Sequence, residues 1–277
     1  MTYSELVDSW MKELSLYPPS ESESLTQWLL EHHLGLRRID MGLSFDPGSL
    51  PEVLLRDFDR VKAGEPIQYI FGKGPFYGRE FIVTPATLIP RNETEELAHL
   101  IIKENPQGSL KILDIGTGSG CIPITLDLEM NNAEVYGMDI SPEALQIAEQ
   151  NNTALNAKVR FIQSDILHEI PPVSELDILV SNPPYVPDQD KQEMHTNVLD
   201  YEPHLALFVP DSDPLLFYRR IGQLGRQLLK PKGKIYFEIY EKNAAELVHL
   251  LQEQNYREIR IHQDLNGKDR ICSGILS

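Results

Sequence analysis

Asn182-Pro183-Pro184-Tyr185 is the stretch whose residue types and order point most directly to chemistry. The apolar run Ile178 to Val180 before it reads as a buried strand, and neither proline has an N–H to extend a ladder, so the strand is expected to stop at Asn182. In a parallel sheet, groups just past the carboxyl end of a strand face the ligand crevice. Two stiff prolines there hold an amide side chain and a phenol ring apart on a rigid backbone. Such a device suits a flat, polar, uncharged group such as a carboxamide or an exocyclic amine. The Asn182 oxygen and a proline carbonyl accept its N–H hydrogens while the Tyr185 ring covers its face. The competing reading is a proline-rich loop after a strand.

Gly116-Thr117-Gly118-Ser119-Gly120 is the second chemical signal. Three glycines at alternate positions after a strand let a ligand approach the backbone, and Asp139, 19 residues beyond Gly120, stands where nucleotide-binding sheets grip a ribose diol. The spacing departs from the dinucleotide fingerprint and no Walker lysine follows it, which leaves an adenosine ligand without a pyrophosphate. The lesser readings make the loop only a tight turn and Asp139 a cap for the next helix, although Ser141 is better placed for that.

The elements that must position these residues alternate. From Leu110 onward, strands over Lys111 to Ile115, Glu134 to Asp139, Lys158 to Ile162, Ile178 to Asn182 and Lys234 to Ile239 are separated by helices, the pattern of a parallel sheet. Tyr256 to His262 and Arg270 to Ile275 add a closing antiparallel hairpin, for seven strands in all. Before this, the first 65 residues carry helical stripes. Leu6, Trp10 and Leu14 form one. Leu25, Trp28, Leu29 and His32 form another, with Ser22 or Ser24 as cap and Gly35 as stop. Leu50, Val53, Leu54, Phe58 and Val61 form the third. Both tryptophans are expected in the core of this bundle. Between Pro66 and Pro90, Gln68 to Phe71 and Glu80 to Val83 read as two strands around a Gly-rich turn. Asn92 is a candidate cap for the helix that follows, and Asn92 with Glu95 fits a capping box.

Composition bounds the rest. With 277 residues, two unequal units are expected. The 42 acidic against 25 basic residues leave a net charge of -17 and no basic surplus for phosphates, so direct nucleic-acid binding is not expected. Two cysteines, Cys121 and Cys272, indicate neither a disulfide framework nor secretion. No stretch approaches the ~20 apolar residues of a membrane span. Scattered histidines, with the adjacent pair His32 and His33 on different sides of a helix, argue against a metal. A cytoplasmic, monomeric protein without membrane contact is expected.

Leu113 to Gly120 resembles the cofactor loop of class I S-adenosylmethionine-dependent methyltransferases, and Asn182 to Tyr185 their motif for methylating planar nitrogens. The whole chain resembles the peptide chain release factor glutamine N5-methyltransferases. Gly64 to Ile70, Leu88 to Arg91, Tyr201-Glu202-Pro203 and Leu265 to Arg270 carry the likeness outside the two motifs. Asn92 departs from the family pattern where proline is usual, and Tyr240 where glycine usually follows Glu238-Ile239. The resemblance implies an α/β fold: a seven-stranded Rossmann-like methyltransferase domain over residues 91–277, preceded by a helical substrate-recognition domain over 1–65 and a β-hairpin linker over 66–90. It implies S-adenosyl-L-methionine as cofactor, S-adenosyl-L-homocysteine as product, and as substrate the glutamine of the Gly-Gly-Gln motif in class 1 release factors, modulating translation termination. By matched positions, Gly116, Thr117, Gly118, Ser119 and Gly120 line the methionine and ribose, Asp139 holds the ribose hydroxyls and Ile166 borders the adenine. Asn182, Pro183, Pro184 and Tyr185 hold the glutamine amide; Asn182, Pro183 and Tyr185 are the expected catalytic residues, with Asn182 also reaching the cofactor. A ribosomal-protein glutamine methyltransferase, an adenine-N6 methyltransferase of DNA or RNA, and a non-catalytic cofactor sensor are the competing readings.

Overall fold

The computed structural model describes residues 2–37, 39, 49–106 and 108–277. By compactness the chain forms two units: one of residues up to Gly72 together with His195–Tyr201, the other of Lys73–Met194 and Glu202–Ser277.

The first unit is helical. Helix α1 (Tyr3–Glu13) opens on a capping box in which the Glu5 N–H donates to the Thr2 hydroxyl and the Thr2 N–H to the Glu5 carboxylate. Its stripe of Leu6, Trp10 and Leu14 packs with Leu25, Leu29 and Leu30 of α2 (Pro19–Leu34) and Leu54, Phe58 and Val61 of α3 (Glu52–Lys62). The Trp10 ring stacks on Phe58 with centroids 4.0 Å apart. Trp28 does not join this core. It is 48% exposed, because Leu25, Leu29 and Leu30 define the buried face and residue 28 falls on its flank. Ser22 does not cap either. Pro19 starts α2 earlier, so Ser22 is interior and its hydroxyl faces the Leu14, Tyr17 and Pro18 carbonyls. Gly35 ends the helix at φ 67, as its sequence position suggests.

His32 and His33 do not point apart, since their ring centroids are 4.8 Å from each other. His32 stacks on Phe71, and His33 meets the buried Asp57 at 3.0 Å. The part of the helical expectation that falls on 38 and 40–48 lies outside the described residues.

Gln68 to Phe71 is not a strand. Ile67–Phe71 is a short helix, α4, entered from Pro66 and closed by Gly72 at φ 67. Short apolar runs do not distinguish strand from helix by periodicity, and a left-handed Gly at the end is a helix stop. The hairpin begins after it: β1 (Lys73–Phe76) pairs with β2 (Arg79–Ile82) through Tyr77 and Gly78, both at positive φ, a two-residue turn that follows the strands' twist.

The second unit is the sheet. In chain order come α5 (Asn92–Glu104), β3 (Lys111–Ile115), α6 (Cys121–Glu129), β4 (Glu134–Asp139), α7 (Pro142–Ala154), β5 (Arg160–Gln163), β6 (Leu176–Ser181) and the two-residue β7 (Val186–Pro187). Then α8 (Thr196–Tyr201) departs to the helical unit, followed by β8 (Phe208–Val209), α9 (Leu216–Leu228), β9 (Leu229–Glu238), α10 (Ala244–Glu253), β10 (Tyr256–Gln263) and β11 (Asp269–Leu276). Seven strands lie in the order β10-β11-β9-β6-β3-β4-β5, parallel from β9 to β5 and antiparallel at β11 and β10. Chain progression runs outward from β3 on one side and from β6 on the other, so the carboxyl ends of β3 and β6 flank the switch point where open sheets bind ligands. On one face α9 and α10 pack Tyr218, Ile221, Leu247 and Leu251 on Leu179, Ile235 and Phe237. On the other, α5 and α6 pack Leu97, Ile101, Ile124 and Leu126 on Ile112, Val180 and Tyr236. Phe76 and Phe81 of the hairpin are buried in that second core, edge to face. No helix among the described residues is long and apolar enough to cross a membrane.

Candidate active site

The glycine loop leaves β3 with Gly116, Gly118 and Gly120 at φ 76, 53 and 80, a left-handed region costly for other residues. The N–H groups of Gly116 and Thr117 both donate to the Met138 carbonyl, clipping the loop to the end of β4. Asp139 accepts the Gly118 N–H at 2.8 Å on one oxygen and the Ser141 N–H at 3.0 Å on the other. Each oxygen keeps lone-pair capacity, which matches a vicinal diol. Ser141 caps α7 by accepting the Ala144 N–H, so the capping role falls to it. Burial raises the Asp139 pKa, opposed by the backbone N–H groups of Ser141 and Gly118.

Gly116 to Ser119, Asp139, Ile166, Asn182, Pro183 and Pro184 line one cleft, joined by residues 87–91, Thr94, Leu205 and Phe217. Gly120 is not on its wall. A Cβ there would stand 3.0 Å from Ile124 and 3.2 Å from Ala148, so this glycine permits close packing of α6 and α7 behind the loop. Arg220 secures the Ile166 segment by donating to the carbonyls of Ile166 at 2.8 Å and Glu169 at 3.0 Å. The buried Asn151 ties the loop to the hairpin, donating to the Ser119 and Ile82 carbonyls and accepting the Ile82 N–H. Beneath the loop Asp114 is fully buried, and neither of its oxygens has a hydrogen-bond partner among the described residues. Burial pushes its pKa up to about 7. The Thr117 hydroxyl draws it down without a hydrogen bond of ordinary geometry, and the Asp139 charge adds to the rise.

Across the cleft, β6 ends at Ser181, whose hydroxyl donates to the Ile115 carbonyl at 2.6 Å and holds the two strand ends together. The Asn182 amide nitrogen donates to the Thr94 hydroxyl at 3.2 Å, Thr94 donates to Glu238 at 2.6 Å, and the Tyr185 hydroxyl donates to the other Glu238 oxygen at 3.1 Å. Tyr185 therefore turns its hydroxyl toward Glu238 and is not on the cleft wall. Burial, then the Glu238 charge, push its pKa far up, so it stays a neutral donor. Burial also raises Glu238, offset by its hydrogen bonds from Thr94 and Tyr185 and by the Arg270 charge.

Tyr240 stacks on Tyr185 with centroids 6.1 Å apart, and its hydroxyl donates to Asp190 at 2.7 Å, where Lys242 also donates. The side chain that departs from the family pattern thus braces the tetrad and the segment after it. Asn92 opens α5 but does not cap it, and no capping box forms: Arg91 is the cap residue, and Glu95 accepts the Tyr77 N–H instead. Glu202, nearly fully buried, accepts the Ile89 N–H at 3.2 Å and pairs with Arg91, bringing together two stretches far apart in sequence.

Thr94, Glu238, Asn151 and Arg220 escaped the reading of the sequence. Only Glu238 left a signal there, an acid closing the apolar strand Ile235-Tyr236-Phe237.

Comparison with known proteins bears on this arrangement. Residues 91–201 match the family described as Methyltransferase small domain, and residues 5–72 the one described as PrmC N-terminal domain. A protein of Bacteroides thetaiotaomicron called release factor glutamine methyltransferase is 47% identical over 93% of this chain and 94% of its own. Proteins of the same name from Flavobacterium psychrophilum and Bacillus subtilis are 45% and 39% identical, covering 93% and 91% of this chain and the same shares of their own. The crystal structure of a methyltransferase from Pyrococcus furiosus superposes with a TM-score of 0.54 at 16% identity, over 78% of this chain and 96% of that one, a likeness of fold.

Proposed function

The chain belongs to the release factor glutamine methyltransferases, and from that premise we propose that its cleft transfers a methyl group from S-adenosylmethionine to the side-chain amide nitrogen of the glutamine in the Gly-Gly-Gln motif of class 1 release factors. The observation that carries the reading is the pairing, across one cleft, of a glycine loop with a twice-supported Asp139 and a proline-stiffened Asn182 whose amide N–H is already committed to Thr94.

S-adenosylmethionine supplies a sulfonium-bound methyl group open to displacement by a nucleophile. Asp139 offers its remaining lone pairs to the ribose hydroxyls, Gly116 to Ser119 admit the methionine portion against the backbone, and Ile166 borders the adenine. On the opposite wall, the Asn182 oxygen and the Pro183 carbonyl accept the two N–H hydrogens of the glutamine amide. An amide nitrogen is nearly non-basic because its lone pair is delocalised. Two fixed acceptors would raise its electron density and hold it in one orientation toward the methyl group, work of positioning and electrostatics. Transfer of the methyl group would break its C–S bond, leave the sulfur as the neutral thioether of S-adenosylhomocysteine and leave the nitrogen cationic and strongly acidic, so its proton would pass to water without a dedicated base. Pro184 keeps the corner rigid, and Tyr185, anchored on Glu238, supports it from behind.

We assign the protein substrate's recognition to the helical unit, which has its own core of Leu, Trp and Phe side chains. The test is to incubate the protein with methyl-labelled cofactor and a purified class 1 release factor. Label is expected in the release factor and should vanish when the Gly-Gly-Gln glutamine is replaced. Label that survives that replacement, or that enters only a ribosomal protein or nucleic acid, rules the substrate out.

A further inference from the structure

Glu238 and Thr94 lie 144 residues apart in the chain, yet they meet behind Asn182 at 2.6 Å. Both are buried: Glu238 is 2% exposed and Thr94 3%. Resting on the reading that Asn182 accepts the substrate amide, we propose that Glu238 and Thr94 form a one-way hydrogen-bond relay that decides which end of the Asn182 amide faces the substrate. They are positioning residues, with Asn182 the group that touches the glutamine.

The sense of the relay follows from counting hydrogens. An ionised carboxylate only accepts, and a hydroxyl has one hydrogen. Thr94 commits that hydrogen to Glu238, so toward Asn182 its oxygen can only accept. The Asn182 atom 3.2 Å away is therefore the amide NH2. Its oxygen is left as the free end of the amide, for the cleft that Asn182 and Thr94 both line. The other Glu238 oxygen takes the single hydrogen of the Tyr185 hydroxyl at 3.1 Å. One carboxylate thereby sets the first and last residues of the tetrad.

Without the acceptor at the end of the relay, the Thr94 hydrogen is released to donate to the Asn182 oxygen. The amide then turns over and presents its NH2 to a substrate group that itself carries N–H hydrogens. Donor faces donor, and the acceptor the reaction needs is gone. The groups that bear on Glu238 are the donors Thr94 and Tyr185 and the charges of Arg270 and Glu93. Burial, the largest influence, and the Glu93 charge raise the carboxyl's pKa, while the two hydroxyl hydrogen bonds and the Arg270 cation favour the ionised, accept-only form.

The experiment compares Thr94→Val, which keeps the side chain's shape and loses the hydroxyl, with Thr94→Ser, which keeps the hydroxyl. In the whole protein, Thr94→Val is expected to lower kcat for release-factor methylation by roughly ten- to a hundredfold, part of the effect of removing a preorganised polar group outright. Cofactor Kd should stay within about twofold. Thr94→Ser should recover turnover to within about threefold of the starting protein. Added to Asn182→Ala, Thr94→Val should cost nothing more, because the relay has no end left to orient. Glu238→Met, which keeps much of the side chain's length and removes both acceptor oxygens, should match Thr94→Val in kcat. It serves as the measurement should Thr94→Val not fold. A folded Thr94→Val protein with undiminished kcat, or losses that multiply independently of Asn182→Ala, overturns the relay while leaving the function intact. Undiminished turnover in Asn182→Ala overturns both.

Discussion

Asp114 under the glycine loop and Glu238 behind the Asn-Pro-Pro-Tyr corner are both buried acids near the carboxyl ends of parallel strands, but their surroundings differ. Asp114 has no hydrogen-bond donor among the described residues and a pKa pushed up to about 7. Glu238 receives one hydroxyl on each oxygen. The contrast extends to the regions they underlie. The proposed cofactor side is shaped by backbone: positive-φ glycines, N–H groups clipped to Met138, and an aspartate held by two amides. The proposed amide side is shaped by side chains drawn from α5, β9 and the segment after β6. A backbone-built site holds a ligand by letting it come close, whereas a side-chain-built site fixes the direction of each donor and acceptor. The first kind should govern affinity and the second turnover.

The largest expected effect tests the turnover half of that contrast. Asn182→Ala leaves the prolines, Tyr185 and the adenosine pocket, and should lower kcat by roughly 10² to 10³ with cofactor affinity nearly unchanged. Single-turnover methylation and calorimetry on one preparation measure both. A protein whose cofactor affinity falls as far as its rate would erase the division. Asp139→Ala is the converse: loss of hydrogen bonds to a charged group should weaken cofactor binding by on the order of 1.5 to 3 kcal/mol. At saturating cofactor, kcat should stay near that of the unsubstituted protein, and a titration of kcat against cofactor concentration separates the two.

The unpartnered Asp114 carries a pH signature. Its folded pKa of about 7 lies above the ordinary 3.8. Between those values the folded form therefore holds a proton the unfolded chain has released, and stability falls as pH rises through the window. Asp114→Asn removes the ionisation with little change of shape. In urea unfolding it should be more stable than the parent at pH 8 by on the order of 1 to 2 kcal/mol, the difference vanishing toward pH 4. Equal stability at both pH values would mean the carboxylate is compensated. The smallest effect belongs to Tyr240→Phe, which keeps the ring against Tyr185 and loses the bond to Asp190. A loss of about 0.5 to 1 kcal/mol in stability and a change in kcat of a few fold at most are expected. A larger fall in kcat would make the Asp190 bond part of the amide site.

The same contrast explains what was legible in the sequence. Glycines at positive φ, an acid closing a strand and prolines halting one are local demands met by local residues, so spacing located the loop, Asp139 and the tetrad at strand ends, while their specific roles came only from the family resemblance. The order of strands and helices was legible for the same reason. Thr94 and Glu238 were not, because only the packing of α5 on β9 and the register of β9 beside β6 bring them to Asn182. Tyr185 was read as a cover for the amide. Its hydroxyl is drawn to Glu238, a partner its neighbours in sequence do not announce. Gln68 to Phe71 misled because apolar runs of that length suit either helix or strand until tertiary contacts decide. Trp28 misled because one flank of a helix can carry a large apolar residue outside the core.

Helix α8 gives the helical unit a property that concerns its birth rather than its work. His195 to Val198 share a recess with Leu16, Tyr17 and Gly64, and the Tyr201 hydroxyl donates to the Ala63 carbonyl. A chain made from its amino end releases α1 to α4 early, yet the segment that completes their unit emerges only after β3 through β6 have been translated. Domains generally fold as units, the amino-terminal one first. Here the first unit to appear lacks one of its segments while much of the second is synthesised. The interval in which the nascent helical bundle exposes that side is fixed by the order of segments along the chain, and moving residues 195–201 to directly after Gly72 would abolish it.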